Sequence, residues 1–161
     1  MTIEEYNSAV DQYSDGLYRF VLKNLRDADR AQDVVQDTFE KLWVKKDTVN
    51  GNKVKSYLFT TAYHALIDVT RKDKRMDDME NVSSENYSHD HQYSDLKEIL
   101  NSALDKISDI QRTVILLRDY EGYSYQEIGE ITKLTEAQVK ITIFRGRVAL
   151  KEYLKSVEAL I

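Results

Sequence analysis

Apolar residues recur along most of this chain at intervals of three and four, the spacing that lines one face of an α-helix. Ile3, Tyr6, Val10, Tyr13, Leu17 and Phe20 form a first stripe. Ala31, Val34, Val35, Thr38, Phe39, Leu42 and Trp43 form a second, with Asp29 placed as its N-cap. Asn50-Gly51-Asn52 breaks the pattern and reads as a loop. A third helix is expected from about Lys53 to Lys74, burying Leu58, Ala62, Ala65, Leu66 and Val69. Periodicity then stops. Residues 76–95 are rich in Asp, Asn, Ser and His and read as a flexible acidic linker.

The pattern resumes with Leu96, Ile99, Leu100, Ala103, Leu104 and Ile107. Ser108 is placed to cap the next helix, which ends near Gly122, a suitable residue just past a helix C-terminus. Ser124-Tyr125-Gln126-Glu127 and Thr135-Glu136-Ala137-Gln138 each have the form of a capping box. Two helix starts about eleven residues apart predict a short helix, a tight turn and a longer helix, the helix-turn-helix arrangement. Ile128 and Ile131 should point inward, with Leu134 plugging the turn. The expectation is an all-α protein of two small helical domains joined by a flexible acidic linker. The divisions fall at residues 1–75, 76–95 and 96–161.

The last helix carries the most informative pattern. Val139, Ile143, Gly146, Leu150 and Tyr153 fall on one line and should pack inward. The opposite face carries Ala137, Ile141, Phe144, Arg145 and Val148, flanked by Gln138 and Lys140. A solvated face rarely places so many large apolar residues in water. A face in the DNA major groove can use them on thymine methyls, with Gln138 for adenine and Arg145 for guanine or phosphate. Lys140, Arg147 and Lys151 suit the phosphate backbone. The alternative is that the apolar residues pack against the other domain or a protein partner.

Composition narrows the choice. The 161 residues include no proline, five glycines and no cysteine. That favours helices and excludes disulfides, thiolate metal sites and a cysteine nucleophile. It fits a reducing, cytoplasmic setting. No apolar run approaches the roughly 20 residues that span a bilayer, and the acidic Met1–Glu5 start does not read as a signal peptide. Net charge is −5, yet the signs are segregated. Lys and Arg gather at 53–55, at 71–75 and at 140–151, and none occurs between Met76 and Asp95. Basic and acidic surfaces for different partners are expected. No phosphate loop or His-Glu metal motif appears, so no enzyme, cofactor or metal is predicted. His89 and His91 lie in the linker without further ligands.

Two stretches together resemble the extracytoplasmic-function (ECF) sigma factors of the sigma-70 family. Asp33 to Trp43, followed by Tyr57 to Asp68 and the basic run to Arg75, resembles the family's region 2. Leu104 through Gln111-Arg112, Tyr125-Gln126-Glu127-Ile128, Val139-Lys140 and Phe144-Arg145-Gly146-Arg147 resembles region 4. The resemblance covers nearly the whole chain and implies promoter-specific transcription initiation with RNA polymerase core. It implies that Asp33, Gln36, Asp37 and Glu40 grip the clamp helices of the β′ subunit, while region 4 meets the β flap. Read alone, that polar face is the ordinary solvated side of a helix.

The resemblance also implies that the loop and third helix handle the −10 element. Tyr57, Tyr63 and His64 offer flat rings to unstacked bases. Core packing is the competing role for the two tyrosines. Asn50, Asn52, Lys53 and Lys55 offer hydrogen bonds and charge, and Arg71, Lys72, Lys74 and Arg75 suit the upstream duplex. The acidic linker would occupy the basic RNA path of the polymerase. The −35 element falls to Gln138, Lys140, Ile141, Phe144, Arg145 and Arg147. An anti-sigma factor is a further possible partner. If the two domains close on each other, the negatively charged free chain should bind promoter DNA poorly.

The chain departs from the family pattern in places. Ile107-Ser108 stands where region 4 usually opens with proline. Lys133-Leu134-Thr135 replaces a glycine-containing turn, and Gly129 replaces a small alanine. Ile141 and Thr142 stand where Ser and Arg are commoner, which bears on −35 preference. A regulator using only its C-terminal helix-turn-helix would not need the Asp33–Trp43 helix joined to an aromatic, basic one. A purely protein-binding helical adaptor would not need Lys140 and Arg145 around an exposed apolar stripe.

Overall fold

The computed structural model describes residues 1–80 and 95–158. Helix α1 spans Ile3–Leu25, α2 Ala28–Val44, and α3 Val54–Glu80 after a 3₁₀ turn at Gly51–Lys53. Helix α4 spans Asp95–Lys106, α5 Asp109–Ile115, α6 Tyr125–Thr132 and α7 Glu136–Glu158, and α5 continues as a π turn over Leu116–Tyr120. No strand occurs among the described residues. The linker beyond Glu80, with His89 and His91, lies outside them.

Most starts follow local capping chemistry. The Thr2 hydroxyl accepts from the Glu5 N–H at 3.1 Å to open α1. Asp27, not Asp29, caps α2, accepting from the Arg30 N–H at 3.2 Å. Ser108 and Gln111 form a complete capping box, which explains how α5 opens without proline. Ser124 with Glu127 does the same for α6. Thr135 and Gln138 exchange both bonds, at 2.9 and 3.1 Å, ahead of α7. Helix α3 runs on to Glu80, five residues into the expected linker.

In the first half, α1, α2 and α3 pack around Leu17, Phe20, Val21, Ala31, Leu42, Leu58 and Ala62. In the second, Ile128, Ile131, Val139 and Ile143 close over Val114 to Leu117. Two glycines allow close approach. A Cβ on Gly129 would stand 2.7 Å from the Leu134 carbonyl oxygen, and one on Gly146 would stand 2.6 Å from Ile115 Cδ1. The turn lacks glycine because Lys133 itself adopts the left-handed conformation (φ 67°), its N–H bonded to the Gly129 carbonyl at 2.8 Å.

Several stripe positions are corrected by packing. Ile3 is 58% exposed, because the start of α1 overhangs the bundle. Trp43 is also exposed, set edge-on to Tyr6 at 5.0 Å with Lys46 over its ring. Leu96 and Leu100 are exposed at the start of α4. Val54 and Phe59, which the periodicity did not mark, are buried.

The halves touch directly. Phe59 of α3 meets the Tyr123 ring at 5.0 Å and 86°, and Arg19 of α1 grips Glu121 through two bonds of 3.0 and 2.7 Å.

Candidate nucleic-acid and polymerase interface

Three surfaces collect the candidate residues. On α2, Asp33, Gln36, Asp37 and Glu40 are all exposed, while Val34, Thr38, Phe39 and Leu42 turn into the core. The helical period thus yields a carboxylate-rich face on a firmly seated helix, suited to a basic partner helix. Arg30 anchors α2 to α3 through two bonds to Asp73, of 2.7 and 2.8 Å.

The second surface is a cleft of about 590 Å³ where the loop after α2 meets α3. Thr48, Val49, Asn50, Lys53, Ser56, Tyr57, Thr60, Thr61 and His64 line it. The Asn50 side chain accepts from the Asn52 N–H at 3.3 Å and so fixes the loop at the cleft mouth. Ser56, Thr60 and Thr61 recur on one side of α3 and supply hydroxyls that both donate and accept. The volume suits a single flat ring system with its polar edge met by these groups.

The third surface is α7. Ala137, Ile141, Phe144, Arg145 and Val148 are exposed, and Val139, Ile143 and Gly146 are buried beneath them. Phe144 is 64% exposed. Tyr125, at the start of α6, stacks under Arg118 at 4.4 Å and lies 5.4 Å from Lys140. Arg147 is held by Asp119 at 2.6 Å, and this hydrogen bond raises its already high pKa. The helix therefore presents an apolar stripe with cations along its border.

The sigma-70 region 2 family model matches residues 9–76, and the sigma-70 region 4 model matches residues 97–150. The ECF RNA polymerase sigma factor SigM of Bacillus subtilis is 32% identical over 157 residues, covering 94% of each chain. SigX of the same organism is 28% identical, covering 94% of this chain and 84% of its own. This chain belongs to the ECF sigma factors. Its fold also matches the solved sigma factor RpoE, in complex with the anti-sigma factor NepR, from Bartonella quintana. That match has a TM-score of 0.82 and 30% identity, over 95% of this chain and 98% of that one. The structure of CnrH in complex with the cytosolic domain of CnrY, at 22% identity and TM-score 0.72, shares the fold. The protein is thus a sigma factor of promoter-specific transcription initiation, acting with RNA polymerase core on promoter DNA.

Within this sigma factor the residues expected at the −10 element are not all in one place. Asn50, Lys53, Tyr57 and His64 share the cleft. Tyr63 instead lines a second crevice with Arg71 and Lys74, facing Asp109 and Arg112 of region 4, and burial pushes its phenol pKa up. Lys72 and Arg75 are exposed. Lys55 faces away from the cleft, 3.2 Å from Glu127 and 3.8 Å from the centre of the Tyr123 ring. Sequence reasoning missed Thr48, Ser56, Thr60 and Thr61, although Ser56 and Thr60 stand four apart on one side of α3. Gln138, expected to read a base, has its side-chain oxygen accepting from the Thr135 N–H.

No described helix is long and apolar enough to cross a membrane. No metal-binding group of His, Cys, Asp and Glu occurs among the described residues.

Proposed function

We propose that region 2 of this sigma factor captures a base of the −10 strand in the Asn50–His64 cleft while α2 holds the polymerase. The convergence of Asn50, Lys53, Tyr57 and His64 on one concave surface carries this reading. Opening a duplex costs stacking energy, and an unstacked base needs a replacement surface. Tyr57 and His64 offer rings, the threonine and serine hydroxyls offer edge contacts, and Lys53 suits the adjoining phosphate. Asp33, Gln36, Asp37 and Glu40 bind the β′ clamp helices through charge-assisted bonds. On the other half, α7 enters the −35 major groove, with Ile141, Phe144 and Arg145 on bases and Lys140 and Arg147 on phosphates. Region 4 also meets the β flap.

The residues between the domains follow the basic path for RNA in the polymerase. The protein works in the cytoplasm, without a cofactor or catalytic chemistry of its own, and an anti-sigma factor is a further partner.

Run-off transcription with purified core polymerase tests the assignment. The chain should comigrate with core and start transcripts on a genomic library. Gln36→Ala with Asp37→Ala should weaken core binding while helicity stays the same. Tyr57→Ala and His64→Ala should each weaken binding of a single-stranded −10 fragment, by about 1–3 kcal/mol for a lost stacking surface. Core affinity unaltered in the α2 variant would remove the clamp assignment.

A further inference from the structure

One turn of region 4 is wound more widely than its neighbours. Leu116–Tyr120 forms a π turn, closed by the Glu121 N–H on the Leu116 carbonyl at 3.1 Å. Such turns are rare inside helices and concentrate at functional sites. Leu116 and Leu117 hold its inner side in the core. The next two residues, Arg118 and Asp119, both reach the flank of α7. Arg118 donates to the Tyr123 carbonyl at 2.9 Å and lies over the Tyr125 ring at 4.4 Å, and Lys140 of α7 stands 5.4 Å from the same ring. Asp119 takes Arg147 side-on: Arg147 Nη2 donates to Oδ1 at 2.6 Å, and Nε donates to Oδ2 at 3.4 Å.

A guanidinium carries five N–H donors in a rigid fork, and Asp119 occupies two of them. The others lie along the outer edge of Arg147, on Nη1 and Nη2, the pair that can meet two phosphate oxygens at once. On α7, Arg147 falls in line with Lys140 and Lys151 along the border of the exposed apolar stripe. The side chains of Arg147 and Asp119 are 51% and 38% exposed. An ion pair this open to water adds little to folding. What it does change is where Arg147 can point.

We propose that Asp119 determines specificity at the −35 element. It tethers Arg147 so that the guanidinium meets a phosphate only when α7 is seated in one register, and its own charge repels phosphates placed elsewhere. Asp119 acts through Arg147 and is a positioning residue. The contact of Arg147 with a phosphate rests on the function proposed above, and the tether is added to it.

Non-specific binding is carried by cations that follow the DNA backbone wherever it runs. A free arginine at this border would strengthen binding to every sequence alike. Held by Asp119, Arg147 is a fixed fork, and a phosphate contact of fixed place sets the register of the recognition helix on the duplex. The carboxylate supplies the repulsive half of the discrimination. A duplex docked out of register brings backbone phosphate against Asp119 without gaining the outer edge of Arg147. Competing sites vastly outnumber promoters in a genome, so weakening them raises selectivity as effectively as tightening the correct one.

Holoenzyme assembled from core polymerase and the full-length chain tests this. It is titrated over a range of salt with a duplex from a transcribed promoter, and with the same duplex carrying a scrambled −35 element. Asp119→Asn keeps the shape of the side chain and removes its charge. It should raise affinity for the scrambled duplex by about threefold or more. The salt slope on that duplex should steepen by about 0.9, the value of one further phosphate contact. Affinity for the intact −35 duplex should change less, so the ratio between the two falls. Arg147→Gln in the Asp119→Asn background should abolish the gain. Asp119→Glu, which returns the charge, should bring the ratio back toward that of the parent chain.

A merely structural Asp119 would lower affinity for both duplexes together, with a lower melting temperature and no steeper slope, and that result overturns the proposal. An unchanged ratio and slope in Asp119→Asn overturns it as well. Arg147→Gln in the parent chain tells the two assignments apart. A slope shallower by about one there, beside an inert Asp119→Asn, keeps Arg147 on a phosphate and removes the role of Asp119. An unaltered slope takes Arg147 off the backbone, and the role of Asp119 falls with it.

Discussion

Gly129 and Leu134 approach so closely that a methyl group on Gly129 would lie 2.7 Å from the Leu134 carbonyl oxygen. That oxygen belongs to the backbone of the turn between α6 and α7 and cannot swing aside as a side chain would. Gly129→Ala should therefore destabilise region 4 by about 1–3 kcal/mol, the usual cost of overpacking. Helix propensity alone would predict the opposite sign, since alanine is the better helix former. Urea unfolding followed by circular dichroism separates the two outcomes.

Gln138 is both a cap and a candidate base reader, and the two roles can be parted. Gln138→Glu keeps the capping-box bond to the Thr135 N–H. It removes the amide donor that an adenine contact needs and places a negative charge beside phosphates. Thermal stability should stay within about 0.5 kcal/mol, while affinity for a −35 duplex falls. Thr135→Ala should do the reverse, costing about 1 kcal/mol of stability as a lost cap. Equal DNA affinity in Gln138→Glu would confine this residue to capping.

Arg145 is exposed on α7 beside Ile141 and Phe144. Arg145→Ala should cost about 1–3 kcal/mol on promoters carrying its preferred base pair and much less on random DNA. A uniform loss across all sequences, with a salt slope reduced by about one, would make it a phosphate contact. Competition binding at fixed salt gives the answer.

Two region 4 carboxylates that also pair with region 2 lysines have depressed pKa values. Glu127 lies below its ordinary 4.5, held by the Ser124 backbone N–H, the Ser124 hydroxyl and Lys55 against the opposing effect of burial. Asp109 lies below its ordinary 3.8: burial pushes it up, but Arg112 and Lys74 outweigh that. For a carboxylate lowered in the folded state, the stabilisation is complete above the ordinary value and disappears as pH falls through the folded one. The folded state should accordingly keep this stabilisation in full near neutrality and begin to lose it only in acid below pH 4.5. Urea unfolding followed by circular dichroism, repeated from neutral pH downward, should show this order. Stability rising in acid would contradict it.

How much of this was legible beforehand differs by element. Helices α1 to α4 followed from apolar periodicity, and α5, α6 and α7 from the capping residues Ser108, Ser124 and Thr135 just ahead of each start. Exposure of Ile141, Phe144 and Val148 followed from the same period, because burying Val139 and Ile143 forces their neighbours outward. The α2 cap was misplaced because Asp27 and Asp29 are chemically alike, and only the backbone path chooses between them. Trp43 was expected inside because its spacing fits the stripe, yet the bundle ends before it. Phe59 falls off the first-domain stripe of α3, and it is buried between Phe20 of α1 and Tyr123, a residue 64 positions further on.

The candidate sites divide the same way. The α2 face and the α7 face each lie on one helix, so a linear pattern contains them. The cleft joins a loop to three turns of α3, and its hydroxyls gave no signal stronger than ordinary helix composition. Lys55 is the sharpest case, since its charge and position read as a DNA contact while its partners in the fold are Glu127 and Tyr123.

The sequence alone determined which segments are helical, where most of them start, and which face of each is apolar. Those properties depend on interactions between residues a few positions apart. Only the tertiary structure decided which threonines line the cleft, why α1 carries Gly16, where a Cβ would stand 2.9 Å from Glu121 Oε1, and which cations region 4 meets. Those depend on pairings between distant segments, which local spacing does not encode.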